Sequence, residues 1–263
     1  MHITELLLLA IQVSLQGGQE ILDVYKTKFV VDHKEDNSPL TLADQRSHDV
    51  IMKGLSVSKY PIMSEEGVEL DYALRKDWKE FWCVDPLDGT REFVKRNGEF
   101  TVNVALVRNE SPVLGVIYVP VQDLLYAAAD GKAYIIRQAN NKFTQDNFSL
   151  DNFTIRRSDE LKSSFKVLIS RSHLSKETEN YVEQLKKDHA NLEFVSAGSA
   201  LKFGWLAEGK ADLYPRFSPC MEWDTAAGHA ILKTVGKNIY SYPSGDELRY
   251  NKINLVNDWF IAR

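Results

Sequence analysis

Apolar positions recur every three to four residues across residues 3–25, with Ile3, Leu7, Ala10, Ile21 and Tyr25 near one face. That period predicts an amphipathic helix. Gly17 and Gly18 interrupt it, which suits close packing against a neighbouring element. A polar loop follows from Asp32 to Pro39, then a second helical pattern over 43–55. Short apolar runs at 62–64 and 81–84 predict buried strands that stop at acidic residues. Residues 100–107 alternate as FTVNVALV, a turn spans 108–112, and 113–119 (VLGVIYV) answers as the next strand. Strands are also predicted at 124–129 and 133–136, before a polar stretch over 138–152 that marks a domain boundary. Beyond it, strand 166–170, helix 175–187, strand 193–196, helix 199–208, strand 211–215 and helix 224–234 alternate. The expected organisation is therefore an N-terminal α+β domain, 1–150, rich in antiparallel strands, and a C-terminal α/β domain, 151–263.

The chain's 263 residues are 44% hydrophobic, enough for a substantial core and too apolar for a disordered chain. A formal charge of −5 lends no support to a nucleic-acid partner, which calls for a basic face. An acidic protein that handles phosphate must bring positive charge locally, and metal ions are one way to do so. Cys83 and Cys220 stand in no CxxC or Cys/His array, which argues against zinc and fits a reducing cytoplasm. The N-terminal apolar run is too short to span a bilayer, and it lacks a basic leader and a cleavage site. Leu6–Leu9 is accordingly read as core rather than as an insertion or a peripheral membrane contact. A cytoplasmic monomer is the expectation. There is no internal repeat.

Four places carry acids where apolar strands end or helices begin. In WCVDPLDGTREF (82–93), a buried strand runs into Asp85, Pro86 fixes a turn, and Asp88 and Gly89 follow. Two carboxylates three residues apart can share a hard cation, although Asp-Pro and Asp-Gly also make ordinary turns. Ser64–Glu65–Glu66–Gly67 ends the strand before it, where a solvated Glu pair is the ordinary reading. In TLAD (41–44), Asp44 either caps or lies in the first turn of a helix. In WDTAAGHAIL (223–232), Asp224 stands where a helix N-cap would stand. Together the four make the set that a multi-metal phosphate site requires.

The segments LTLAD (40–44), SEEG (64–67), VDPLDGTREF (84–93) and WDTAAGHA (223–230) resemble the inositol monophosphatase superfamily of Mg²⁺-dependent, lithium-sensitive phosphatases. KRNGEFTVNVAL (95–106), ISRSH (169–173) and GSALKFGWLAEGKADLYPR (198–216) are most similar to its bacterial 3′(2′),5′-bisphosphate nucleotidases of the CysQ type. The resemblance covers nearly the whole chain, and DPLDGT followed by WDTAAG at this spacing is specific. It implies a layered αβαβα sandwich with its site in the cleft between the two halves. It also implies two or three Mg²⁺ ions held by Glu65, Asp85, the Leu87 carbonyl, Asp88 and Asp224, with Glu66 in support. Thr90 is implied to take the proton of the attacking water, with Asp44 orienting its hydroxyl, and a water near Asp224 to protonate the leaving 3′-oxygen. No phosphoenzyme forms in that scheme.

The same resemblance sets Ser170, His173, Gly198, Ser199 and Lys202 around a nucleotide and its 5′-phosphate, with Arg216 as a further member. It also implies that Glu65, Gly89, Thr90 and Asp224 take part in binding the substrate. Residues 198–202 open a predicted helix, and a helix N-terminus with hydroxyls and a lysine is a sound phosphate cradle. The implied substrate is 3′-phosphoadenosine 5′-phosphate, cleaved to AMP and phosphate in sulfur assimilation; the 5′-phosphosulfate is a second candidate. Two alternatives stand beside it: an inositol or sugar phosphatase of the same superfamily, and a non-catalytic phosphate-ligand binder. Gly67, Ala200 and Met221–Glu222 depart from the pattern, and none of them removes an implied ligand.

Overall fold

The computed structural model describes residues 1–27, 31–33, 39–68, 71–144, 148–155, 164–170, 175–189 and 191–263. The first half runs α1 (Ile3–Tyr25), β1 (Val31–His33), β2 (Pro39–Thr41), α2 (Leu42–Leu55), β3 (Ile62–Ser64), α3 (Tyr72–Arg75), β4 (Glu80–Asp88) and α4 (Thr90–Val94). It continues through β5 (Thr101–Arg108), β6 (Ser111–Val119), β7 (Leu124–Ala129), β8 (Lys132–Arg137) and α5 (Ala139–Phe143). The second half holds β9 (Phe165–Ser170), α6 (Lys176–Asp188), β10 (Leu192–Ala197), α7 (Leu201–Ala207) and β11 (Tyr214–Arg216). It ends with α8 (Glu222–Thr234), β12 (Ile239–Ser241) and β13 (Phe260–Ala262).

Strands β3 to β8 lie side by side in chain order, β3 parallel to β4 and every later neighbour antiparallel. Both faces of this sheet are covered, which is why its strands read as near-continuous apolar runs. Trp82, Val84, Val104 and Val116 meet α1 and α2 on one face, and Cys83, Ala105, Ile117 and Tyr126 meet α7 and α8 on the other. Side chains alternate along a strand, so neighbours divide between the two cores. Each fully buried Leu or Ile contributes roughly 1.5–3 kcal/mol. The glycines permit the close approach that the sequence suggests. A Cβ at Gly17 would lie 2.7 Å from Ser47 Oγ on α2, and one at Gly115 would collide with the Ala227 carbonyl of α8.

Parallel β9 and β10 and the antiparallel set β11-β13-β12 make the second β layer, joined where Val167 bridges Leu213. Val182 of α6 packs on Val167 and Leu213 from outside. The layers are thus helix, sheet, helix, sheet, helix, the αβαβα sandwich expected from the sequence. Helices α7 and α8 of the second half complete the core of the first sheet, so the halves share one hydrophobic interior.

Several boundaries differ from the sequence reading. Part of the predicted loop 32–39 is strand, because β1 and β2 pair antiparallel. Helix α7 starts at Leu201 rather than 199, because Ser199 sits at φ 44° in the left-handed region. Helix α8 starts two residues earlier than predicted, with Met221 as its N-cap.

Candidate metal and phosphate site

Strand β4 carries Asp85 and Asp88 at its end. In a regular strand, residues three apart point to opposite faces. Here the β4–β5 register breaks between Asp85, opposite Asn103, and Asp88, opposite Thr101. The bulge turns both carboxylates to one side, and Pro86, which has no N–H to offer a ladder, fits there. Ser47 of α2 donates its hydroxyl to the Pro86 carbonyl at 2.8 Å and ties the strand end to the helix behind it. Gly89 then adopts φ 93° and starts α4, placing Thr90 in its first turn.

Asp224 joins from the far side. It is the third residue of α8 rather than its N-cap, and its carboxylate accepts the Met221 N–H at 2.8 Å. One oxygen from each of Asp85, Asp88 and Asp224 falls within 4.8 Å of the others. Glu65, on the turn after β3, and Asp44, buried in the first turn of α2, both bear electrostatically on Asp85. The structure thus brings the two aspartate motifs together, with the SEEG turn and the TLAD helix within electrostatic reach of them. Leu87 lies buried between the two aspartates, its N–H donated to Asp85 Oδ1 at 3.1 Å. Glu66 is half-buried on the turn beside Glu65.

Burial first, then the charges of Glu65 and Asp88, push the Asp85 carboxyl well above its usual range. Asp224 is raised to about 8 by burial and then by Asp88 and Glu65. Burial raises Asp88 too, opposed by Lys202 and by the Ala200 N–H, which donates to its Oδ2 at 2.5 Å. Asp85 is 1% exposed, and its Oδ2 has no hydrogen-bond partner among the described residues. Buried like charges with an unmet acceptor are costly unless a cation compensates them. The donor set is all oxygen, the chemistry that suits Mg²⁺.

A pocket of about 330 Å³ opens in front of these acids. Its wall includes Glu65, Asp88, Gly89, Thr90, Ser199, Lys202, Arg216 and Asp224 from the sequence-predicted set. Lys202 is 2% exposed, its ammonium bonded to the carbonyls of Ser199 at 2.6 Å and Ala197 at 3.2 Å. Burial and then Arg216 lower it to about 8. Arg216 Nη2 donates to the Pro219 carbonyl, while its buried Nε has no hydrogen-bond partner among the described residues.

The predicted helix-end cradle at 198–202 is corrected in one respect. The Gly198 N–H donates to Glu99 Oε2 at 2.8 Å, Ser199 Oγ to the Glu99 carbonyl at 2.6 Å, and the Ala200 N–H to Asp88. These donors are already used within the chain, which leaves the side chains of Lys202 and Arg216, with the exposed Arg91 beside them, as the cations of the pocket among the described residues. Gly198 is required by space, since a Cβ there would lie 2.8 Å from the Glu99 carbonyl. Ser170 ends β9, where its backbone pairs with Ala197. His173 lies outside the described residues.

Sequence reasoning missed Glu99, which holds the Ser199 turn, and Cys220 and Trp223, which share the pocket wall. It also passed over Asn103, which lies opposite Asp85 and reaches Asp88 Oδ2 at 3.4 Å. Asn103 did carry a signal, being a polar residue inside the apolar run of β5.

The inositol monophosphatase family model matches residues 2–258. The CysQ 3′(2′),5′-bisphosphate nucleotidase of Shigella flexneri is 41% identical over 243 residues, 91% of each chain. The enzyme of the same name from Escherichia coli K12 is 40% identical over 245 residues, again 91% of each. The crystal structure of CysQ from Bacteroides thetaiotaomicron superposes with a TM-score of 0.87 at 46% identity, covering 97% of this chain and 95% of that one. A Thermotoga maritima inositol monophosphatase shares the fold at a TM-score of 0.72 and 21% identity, over 96% and 89% of the two chains.

Proposed function

The chain belongs to the inositol monophosphatase family, and from that footing we propose that it hydrolyses the 3′-phosphate of 3′-phosphoadenosine 5′-phosphate, giving AMP and phosphate. The observation that carries the reading is the buried acid cluster, with its unmet Asp85 Oδ2, facing a pocket cornered by Lys202 and Arg216. The names of the 40–46% identical relatives support the same substrate class.

Two or three Mg²⁺ ions would be held by Glu65, Asp85, the Leu87 carbonyl, Asp88 and Asp224. Bound there, Mg²⁺ supplies charge neutralisation for the phosphoryl oxygens and acidifies water. The protein's own part is positioning. Thr90 stands in the pocket wall at the start of α4, where its hydroxyl takes the proton of the attacking water. Asp44, buried in the first turn of α2, orients that hydroxyl and takes the threonine's own proton as the water's proton arrives. Water attacks phosphorus as the bond to the 3′-oxygen breaks, and that oxygen takes its proton from a second water near Asp224. Lys202 and Arg216 take the 5′-phosphate by charge-assisted hydrogen bonds. Inositol monophosphate has no second phosphate to offer them.

Phosphate release from 3′-phosphoadenosine 5′-phosphate and from inositol 1-phosphate, compared with Mg²⁺, with EDTA and with added Li⁺, tests the proposal. The expected result is Mg²⁺-dependent, Li⁺-inhibited release that strongly favours the nucleotide. A preference for inositol phosphate would keep the acids and overturn the role of Lys202. Release from neither substrate would point to a binding protein.

A further inference from the structure

Glu222 is an acid that the proposed reaction does not use. It begins α8, two residues before Asp224, it is 0% exposed, and it does not line the pocket. A carboxylate buried that completely is retained only when donors compensate it. Three do: the Asn251 N–H at 2.6 Å, the Lys252 N–H at 3.0 Å and the Lys252 ammonium at 2.7 Å.

These donors belong to a strap, residues 251–257, which crosses the mouth of α8. Its far end is bonded to the same turn. Asn257 Nδ2 donates to the Met221 carbonyl at 2.7 Å and to Thr225 Oγ1 at 3.0 Å, and the Asn257 N–H donates to the Cys220 carbonyl. The Glu222 N–H in turn donates to the Leu255 carbonyl at 3.0 Å. The near end meets α3. Arg75, 2% exposed, donates to Asn251 Oδ1, the Lys252 carbonyl and the Ile253 carbonyl at 2.7–2.9 Å, and its own carbonyl accepts from Asn251 Nδ2. Glu65, Arg75, Trp223 and strap residues 253–255 border one cavity of about 750 Å³.

We infer that Glu222 is a positioning residue for the metal site, holding Asp224 in place by locking the first turn of α8 to a strap that Arg75 anchors beside the Glu65 turn. The device answers a physical need. Asp224 must stay within 4.8 Å of Asp85 and Asp88, and a helix start free to swing would carry its carboxylate out of reach of a cation that the three share. Core packing holds the body of α8, while the first backbone N–H groups of a helix look outside it for partners, as that of Glu222 does to the Leu255 carbonyl. Charge-assisted bonds to Glu222 fix that turn from behind. The inference rests on the proposed metal role of Asp224 and not on the identity of the substrate.

Its test is calorimetric titration of the EDTA-treated, full-length protein with Mn²⁺ and Mg²⁺, in wild type, Glu222→Gln and Lys252→Met, alongside thermal unfolding of each. Glu222→Gln keeps the shape and removes the charge; it is expected to weaken cation binding by about 10–100-fold, the range for residues that orient metal ligands. Lys252→Met removes only the half-exposed ammonium and should weaken binding several-fold in a fully folded protein. In assays the Mg²⁺ concentration for half-maximal rate should rise in both variants, while KM for nucleotide at saturating Mg²⁺ holds. Unchanged cation affinity in the folded variants, whatever happens to Tm, would overturn the positioning role. If Glu222→Gln fails to fold, Lys252→Met alone decides. Because cation binding is read without substrate, failure of the substrate assignment would leave this result intact and separately visible.

Discussion

The two walls of the pocket are built differently. The acidic wall stands on the ends of β3 and β4 and on the first turns of α2 and α8, braced by the two cores that cover the faces of the first sheet. The cationic wall is Lys202 on the seven-residue helix α7 and Arg216 at the end of the three-residue strand β11, with Arg91 of the five-residue helix α4 exposed beside them. Chemistry that depends on cation geometry needs the rigid wall, since small misplacements are costly in rate. Selection of a second phosphate needs only charge at the right depth, and the lighter wall supplies it. The two functions should therefore separate on mutation.

The largest effect is expected at the acidic wall. Asp88→Asn should cut kcat by more than about 100-fold while circular dichroism and Tm show an intact fold; full activity would break the metal assignment. At the opposite wall, Lys202→Ala should raise KM for 3′-phosphoadenosine 5′-phosphate by about 10–100-fold, the cost of one lost charge-assisted bond. With adenosine 3′-monophosphate the same change should do little, and kcat should hold. Equal effects on both substrates would show that the walls are not separable.

A third expectation concerns stability without metal. Burial and the neighbouring acids raise Asp224 to about 8 from an ordinary 3.8, so the folded chain holds a proton there that the unfolded chain has released. Folding takes up that proton, and stability falls as pH rises from about 4 to about 8. In EDTA, Asp224→Asn should gain Tm over wild type by several degrees, with the gap widening through that window, and Mg²⁺ should reverse it by stabilising only the wild type. A gap that does not change with pH would contradict the account. The smallest effect belongs to the brace. Ser47→Ala removes the 2.8 Å bond to the Pro86 carbonyl and should cost about 1 kcal/mol by thermal unfolding, with kcat largely kept.

The same contrast decided what could be read from the chain. The acidic wall was legible because Asp85, Asp88 and Glu65 interrupt apolar runs, and a charge after a buried strand is conspicuous. The position of Asp224 was misread by three residues because the true N-cap, Met221, is not a capping residue type. The rule then moves the helix start to the first good capper. The cationic wall was legible only through resemblance to a family, since LKFGWLA has no feature that separates a buried Lys202 from a solvated one. Local pattern also hid the use of the Gly198 and Ala200 amides, because their partners Glu99 and Asp88 lie about a hundred residues away in the chain. Three-residue strands such as β12 and β13 are too short to carry a period.

The central claim is that the acidic wall is a divalent-cation site independent of substrate. Calorimetric titration of EDTA-treated wild type and Asp88→Asn with Mg²⁺, at pH 7 in two buffers of different ionisation enthalpy, tests it most directly. The account predicts saturable binding to the wild type with release of protons, because raised carboxyls must ionise to take up the cation, and much weaker binding to Asp88→Asn. No binding to the wild type, or equal binding to both proteins, would contradict it.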